Sequence, residues 1–186
     1  MHVLAVVASC LLSCGCSGAL ANGDGRAFGD DLGRFHVTAH MDSSTCGPQA
    51  MNAPEKWEFD VVLSKKAPSI YWNTGPNAIE GTLANDGKTF AFTSETVVNV
   101  APKASSTTAD PASASARATT CAVVRNDESS GALDDADSAT AFEGTLDYRF
   151  APQGVSDCSD LLVEGGFATL PCNMSYRMAA QWVSAR

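Results

Sequence analysis

The sequence predicts an all-β, antiparallel domain of about eight to ten strands, an up-and-down barrel first and a two-sheet sandwich as the alternative. Three observations carry this. Apolar and polar residues alternate with a period of two through most of the chain, turn residues recur at short intervals, and no stretch shows a 3.6-residue period. The clearest segment is 141–150, AFEGTLDYRF, where Phe142, Gly144, Leu146, Tyr148 and Phe150 alternate with Glu143, Thr145, Asp147 and Arg149. That period lets a strand bury one face and wet the other. Such one-sided strands do not belong in a parallel sheet covered on both faces.

Taken in order, residues 34–41 place Phe35, Val37, Ala39 and Met41 against His36, Thr38 and His40. A Cys-Gly-Pro turn leads to 56–64, with Trp57, Phe59, Val61 and Leu63 on one face. Ile70, Tyr71 and Trp72 make a short aromatic strand, ended by the dense turn chemistry of Asn73-Thr74-Gly75-Pro76-Asn77. Segments 79–83 and 89–93 flank Asn85-Asp86-Gly87, a strong hairpin signal. Residues 96–100 follow as a further strand. Residues 101–118 are low-complexity Ala, Ser, Thr and Pro, and read as a long mobile loop inserted in a single domain. A strand around Cys121 (119–126), an acidic turn region (127–140), the 141–150 strand and a final strand at 174–183 complete the pattern. Glu80-Gly81-Thr82-Leu83 recurs as Glu143-Gly144-Thr145-Leu146, a hint of pseudo-symmetric hairpins. Sequential hairpins favour a closed barrel of the calycin or lipocalin sort, whereas the 101–118 loop could serve as a sandwich crossover.

The N-terminus reads as a targeting segment. Residues 3–12, VLAVVASCLL, form an apolar run of signal-peptide length, too short to span a bilayer. Two processing routes are written into residues 1–21. Leu11-Leu12-Ser13-Cys14 resembles the lipobox of bacterial lipoproteins, which implies acylation of Cys14. Gly15 then replaces the aspartate that holds such proteins at the inner membrane, so the resemblance implies an outer-membrane or cell-surface lipoprotein. Ala19-Leu20-Ala21 before Asn22 is instead an A-x-A site for ordinary secretion. Residues 22–33, Gly-rich and acidic, read as a flexible tether to a β domain at 34–186.

Charge and cysteines narrow the setting. Twelve Lys and Arg against 21 Asp and Glu give a net charge of −9, which argues against nucleic acid and against docking on anionic lipid, since both need a basic patch. In an exported domain, Cys46, Cys121, Cys158 and Cys172 should form two disulfides. Of the three connectivities, Cys158–Cys172 with Cys46–Cys121 is the expected one, because Cys158 and Cys172 bracket one hairpin-like excursion around Gly165-Gly166.

Chemistry is sparse. His36 and His40, four apart on one strand, lie roughly 13 Å from each other on one face, too far to share a metal at about 2 Å, and read as solvent-facing. Asp127, Glu128, Asp134, Asp135 and Asp137 form the densest acidic cluster but lack a calcium-loop pattern, and read as solvated turns. No G-x-S-x-G elbow, phosphate loop or domain C-x-x-C occurs. No cofactor, metal or catalytic residue is therefore assigned. Trp57 and Trp182 read as core, while Tyr71 and Trp72 mark a candidate ligand or partner rim.

Two functions fit. One is a non-catalytic binding module for a small apolar ligand or an envelope partner. The other is a structural surface lipoprotein without a cavity, and a hydrolase with dispersed carboxylates ranks below both. The first two differ in whether inward side chains fill the interior: Ala39, Gly144 and Ala180 would leave room, and Trp57, Phe142, Phe150 and Trp182 would not.

Overall fold

Eight strands close on themselves in sequence order, each antiparallel to the next, with the last paired to the first. The computed structural model describes residues 29–48, 50–73, 78–100, 121–163 and 166–185. Cys14, the A-x-A site, most of the tether and the 101–118 loop lie outside the described residues. The strands are β1 (Asp30–Ser44), β2 (Lys56–Lys66), β3 (Ser69–Asn73), β4 (Ala78–Leu83), β5 (Thr89–Val100), β6 (Cys121–Leu133), β7 (Ala141–Pro152) and β8 (Cys172–Ser184). The barrel is the up-and-down, lipocalin-like one that the hairpin order predicts, not the sandwich.

Several boundaries differ from the sequence reading, three of them by more than a residue or two. The 89–93 and 96–100 segments form one continuous β5, because its partner β6 runs alongside for its whole length. β6 continues to Leu133, so Asp127 and Glu128 sit in a strand rather than a turn. Asp30–Gly33 already pair with residues 63–65 of β2, so the domain begins before Arg34. A short helix, α1 (Ser159–Val163), lies between β7 and β8 and is too brief to show a helical period.

The end where β1, β3, β5 and β7 finish is called upper here, and its opposite lower. The lower half is packed solid by rings. Phe142 lies 5.5 Å from Phe35, 5.6 Å from Phe90 and 6.0 Å from Trp72, so one β7 side chain meets rings from β1, β5 and β3. Burying each such ring stabilises by about 1.5–3 kcal/mol. Glycines make room for these rings. A Cβ on Gly131 would sit 2.7 Å from Phe90 Cζ, and one on Gly81 would collide with the Phe92 ring. The two β5 phenylalanines thus lean over a glycine on each neighbouring strand. Gly144 faces Gly131 across β6–β7, and a Cβ there would run into the Ser130 carbonyl. Both Glu-Gly-Thr-Leu copies therefore place their glycine at an inward position where backbone or ring comes too close for a side chain.

Turns close the lower end. Asp86 accepts from the Lys88 and Thr89 amides and the Thr89 hydroxyl in the β4–β5 hairpin, beside Gly87 at φ +69°. In the β6–β7 loop, Asp134 accepts from the amides of Asp135, Thr140 and Ala141 and the Thr140 hydroxyl. Asp135 similarly gathers Asp137 and Ser138. Asp134 and Asp135 were expected in solvated turns, and they staple the turn through its amides and hydroxyls. Lys65 reaches this loop at Asp137, 3.3 Å away, and at the Ala136 carbonyl.

The cysteines form two disulfides with a different connectivity from the one expected: Cys46–Cys172 and Cys121–Cys158. The reason is barrel closure. β1 pairs with β8 through Ser44↔Met174, and extending that register two residues sets Cys46 opposite Cys172. Cys158 is left to meet Cys121, the first residue of β6. In the chain-entropy view the 37-residue separation gives about 4 kcal/mol and the 126-residue one about 5.

Replacing Gly144 by Ala should destabilise the barrel by about 1–3 kcal/mol through overpacking against Ser130, measured by urea unfolding. Acid should test the turns. The Thr140 hydroxyl, then the Ala141 amide, pull the Asp134 carboxyl from 3.8 down to about 2, and Asp86 and Asp135 are lowered in the same way. A depressed carboxyl contributes stability above its unfolded value that is lost as pH falls through its folded one. Melting temperature should therefore drop between about pH 4 and pH 2, and drop less in Asp134→Asn.

Candidate functional site

The upper half of the barrel is divided. On the β6, β7, β8 and β1 side, the loops that join β1 to β2 and β7 to β8 fold together over the strands. The Ala168 amide donates to the Cys46 carbonyl at 2.7 Å, the Thr45 amide to Asn173 at 2.9 Å, and the Gln153 amide to Ala122 at 2.7 Å. Phe167 packs edge-on against Phe150 at 5.6 Å, and the Tyr176 hydroxyl donates to the Pro54 carbonyl at 3.1 Å. Both disulfides lie in this covered sector.

The other sector is bounded by short strands. β3 and β4 are short, and β4 pairs with β5 at only two positions, Thr82↔Ala91 and Leu83↔Phe90. Above that point, among the described residues, β5 is bonded only to β6. A cavity of about 490 Å³ enters here and descends into the barrel. One wall is aromatic. Trp57 lies 4.7 Å from Phe59, Phe59 6.2 Å from Trp72, and Trp72 5.4 Å from Phe92.

The facing wall is polar and comes from β6 and β7. Arg125, Asp127 and Ser129 share the inward parity of Val123 and Leu133, and pair with inward Phe150, Tyr148 and Leu146. Arg125 donates to Asp127 Oδ2 at 2.8 Å, and the Arg125 guanidinium lies 5.7 Å from the centre of the Tyr148 ring. Burial, followed by the nearby Asp127 charge, pushes the Tyr148 phenol up, so it stays protonated. The pair leaves groups unused. Among the described residues, Arg125 Nε, Asp127 Oδ1 and Ser129 Oγ are buried without a hydrogen-bond partner. Each such group costs about 1–3 kcal/mol when left unmade.

The sequence-predicted site residues are distributed unevenly around this cavity. Tyr71 and Trp72, expected together at a rim, are separated by strand alternation. Trp72 points inward, is 7% exposed and lines the cavity, whereas Tyr71 faces the outer wall between Ser64 and Glu80. Trp57, read as core, faces inward at the mouth with 38% exposure, so it is the rim aromatic. Trp182, also read as core, is 45% exposed at the lower end, its indole lying over Gly33. Asp127, read as part of a solvated cluster, is a cavity residue. Arg125 and Ser129 were missed. Their signal is faint: a strand whose inward positions read Val123, Arg125, Asp127, Ser129 departs from apolar alternation.

His36 and His40 are exposed on the outer wall, His36 Nδ1 2.9 Å from Asp60 Oδ1. No group of three potential ligands that could hold a metal occurs among the described residues. A larger hollow of about 870 Å³ lies outside the barrel over Gly131, Gly144 and Ala179. It holds none of the unpartnered buried atoms, so the interior cavity is the candidate site.

The outer wall carries Arg34, His36, Glu58, Asp60, Arg149 and Arg177, all exposed, around an apolar interior. That is the reverse of a barrel whose strands span lipid. No described helix is long and apolar enough to cross a membrane. The two disulfides are compatible with an extracytoplasmic, oxidising location.

Fold and site together define a lipocalin-like, up-and-down eight-stranded barrel whose interior cavity has one aromatic and one polar wall. No family model matches the chain, and neither a curated protein nor a solved structure matches it.

Removing one member of the interior ion pair should cost more than removing both. Asp127→Leu strands a guanidinium, for a loss of about 2–4 kcal/mol, while Arg125→Met with Asp127→Leu should recover most of it. Urea unfolding of the four-member cycle checks this. Additive losses would mean that the two side chains act independently.

Proposed function

We propose that the protein is a non-catalytic binding module that takes a small molecule with an apolar body into the upper half of its barrel. The observation that carries this is the half-filled interior. The lower half is packed by rings around Phe142, while the upper half keeps a cavity of about 490 Å³ with aromatic and polar walls. Pockets of this size, mostly apolar with a few placed polar groups, are the usual form of small-molecule sites.

The setting we propose is the cell envelope, with the chain exported and held by lipid on Cys14 at the outer membrane or cell surface. The lipobox-like Leu11-Leu12-Ser13-Cys14 supports anchoring, and the disulfides suit an oxidising compartment. A tethered barrel would hold its ligand close to the membrane without crossing it.

N-phenyl-1-naphthylamine, an uncharged fluorescent probe, should bind one per barrel with a saturable rise in emission. Ser94→Trp, which places a ring in the cavity wall, should weaken that binding by at least about tenfold. No saturable binding to the native barrel would refute the reading. A mass spectrum of the mature N-terminus tests the anchor separately: diacylglycerol on Cys14 supports it, and a free Asn22 replaces it with secretion.

A further inference from the structure

We propose that the ligand is a planar ring compound, which the cavity selects over saturated or open-chain molecules of similar size by laying it against a run of aromatic side chains. This rests on the interior being a ligand site, and it names the chemical class that the site favours. The run begins on β2. β3 reaches along β2 only as far as Val62↔Asn73. Among the described residues, Trp57 and Phe59 therefore stand on a stretch of β2 paired with β1 alone, opposite Ala39 and Val37. They share the inward parity of Val61 and Leu63, so both rings turn to the interior. Trp57 keeps 38% of its surface exposed, Phe59 is half-buried, and Trp72 and Phe92 lie deeper at 7% and 5%. All four line the cavity.

The angles between these rings set what fits against them. Trp57 and Phe59 are tilted by 40° with centroids 4.7 Å apart, and Phe59 and Trp72 by 36° at 6.2 Å. The three follow one another as a gently turning surface. Phe92 stands at 77° to Trp72, 5.4 Å away, and ends the run. Another flat ring can take the offset or edge-on arrangements that aromatic pairs prefer, and can do so with more than one of the four at a time. A chain or a puckered saturated ring buries apolar area there but has no quadrupole to match. The polar wall does not compete in this selection. Arg125 and Asp127 are bonded to each other at 2.8 Å. Arg125 Nε, Asp127 Oδ1 and Ser129 Oγ are sealed from solvent, and so lie out of a ligand's reach.

Three probes with ten carbons and one hydroxyl decide the matter: 1-naphthol, decahydro-1-naphthol and decan-1-ol. Each is measured by its displacement of N-phenyl-1-naphthylamine bound to the native protein. Both saturated alcohols carry more apolar surface than naphthol, so burial of area alone would not rank naphthol first. 1-Naphthol should nevertheless bind at least about fivefold more tightly than either. Trp57→Leu, at the exposed end of the run, should weaken naphthol about three- to tenfold and shift the saturated alcohols by less than about twofold. Trp57→Phe, which keeps a ring, should restore naphthol to within about twofold of the native protein. Equal or tighter binding of either saturated alcohol would overturn ring selection while leaving an apolar ligand site. So would naphthol binding that Trp57→Leu does not move, or a loss that all three alcohols share equally. If N-phenyl-1-naphthylamine itself fails to bind the native barrel, the ligand-site reading falls, and this proposal with it.

Discussion

The pairing of β1 with β8 is the constraint on which the rest depends. An open eight-stranded sheet would present two long edges and no enclosed interior, and its inward faces would have nothing to pack against but each other. Closure joins ten residues of β1 to β8, with two register shifts, and turns eight one-sided strands into a wall around a core. It also brings the two ends of the domain together, so that Cys46 and Cys172, 126 residues apart, become neighbours. The disulfide does not create that proximity. It locks what the register has already produced.

Because closure is set by the long strands, the short ones can be sacrificed to an opening. β3 and β4 span five and six residues, against eleven or more for the others. The sector they leave unfilled is where the cavity enters. The opposite sector is covered by two loops, each tied to a strand by a disulfide. The closed lower end, pinned by Asp86, Asp134 and Asp135 in their turns, completes a cup rather than a tube.

Within the cup, β5 and β6 divide the labour. Phe90 and Phe92 of β5 pack over Gly131 and Gly81 and fill the floor. Arg125, Asp127 and Ser129 of β6 give the cavity its polar side. A fully apolar lining would accept any greasy molecule of the right size. Here an ion pair interrupts the apolar lining, with Arg125 donating to Asp127 at 2.8 Å.

The sequence by itself determined the strands, their alternation, the hairpin at Asp86-Gly87 and the presence of two disulfides, because each is a local pattern. Period two, turn residues and an even cysteine count can all be read a few residues at a time. Barrel over sandwich was legible in the run of hairpins but needed the β1–β8 pairing to be decided. The disulfide partners were not legible, since nearness along the chain suggested Cys158–Cys172 while closure set Cys46 against Cys172. Which tryptophan packs and which stands at an opening was likewise a matter of position along the barrel: Trp57 and Trp72 have the same inward parity, yet one lies at the mouth and the other inside. Asp127 looked like surface because its neighbours in sequence are acidic. Only the register that sets it beside Tyr148 showed that it faces inward, within reach of Arg125. Local chemistry fixes the direction in which each side chain alternates, and long-range pairing decides what lies on the other side.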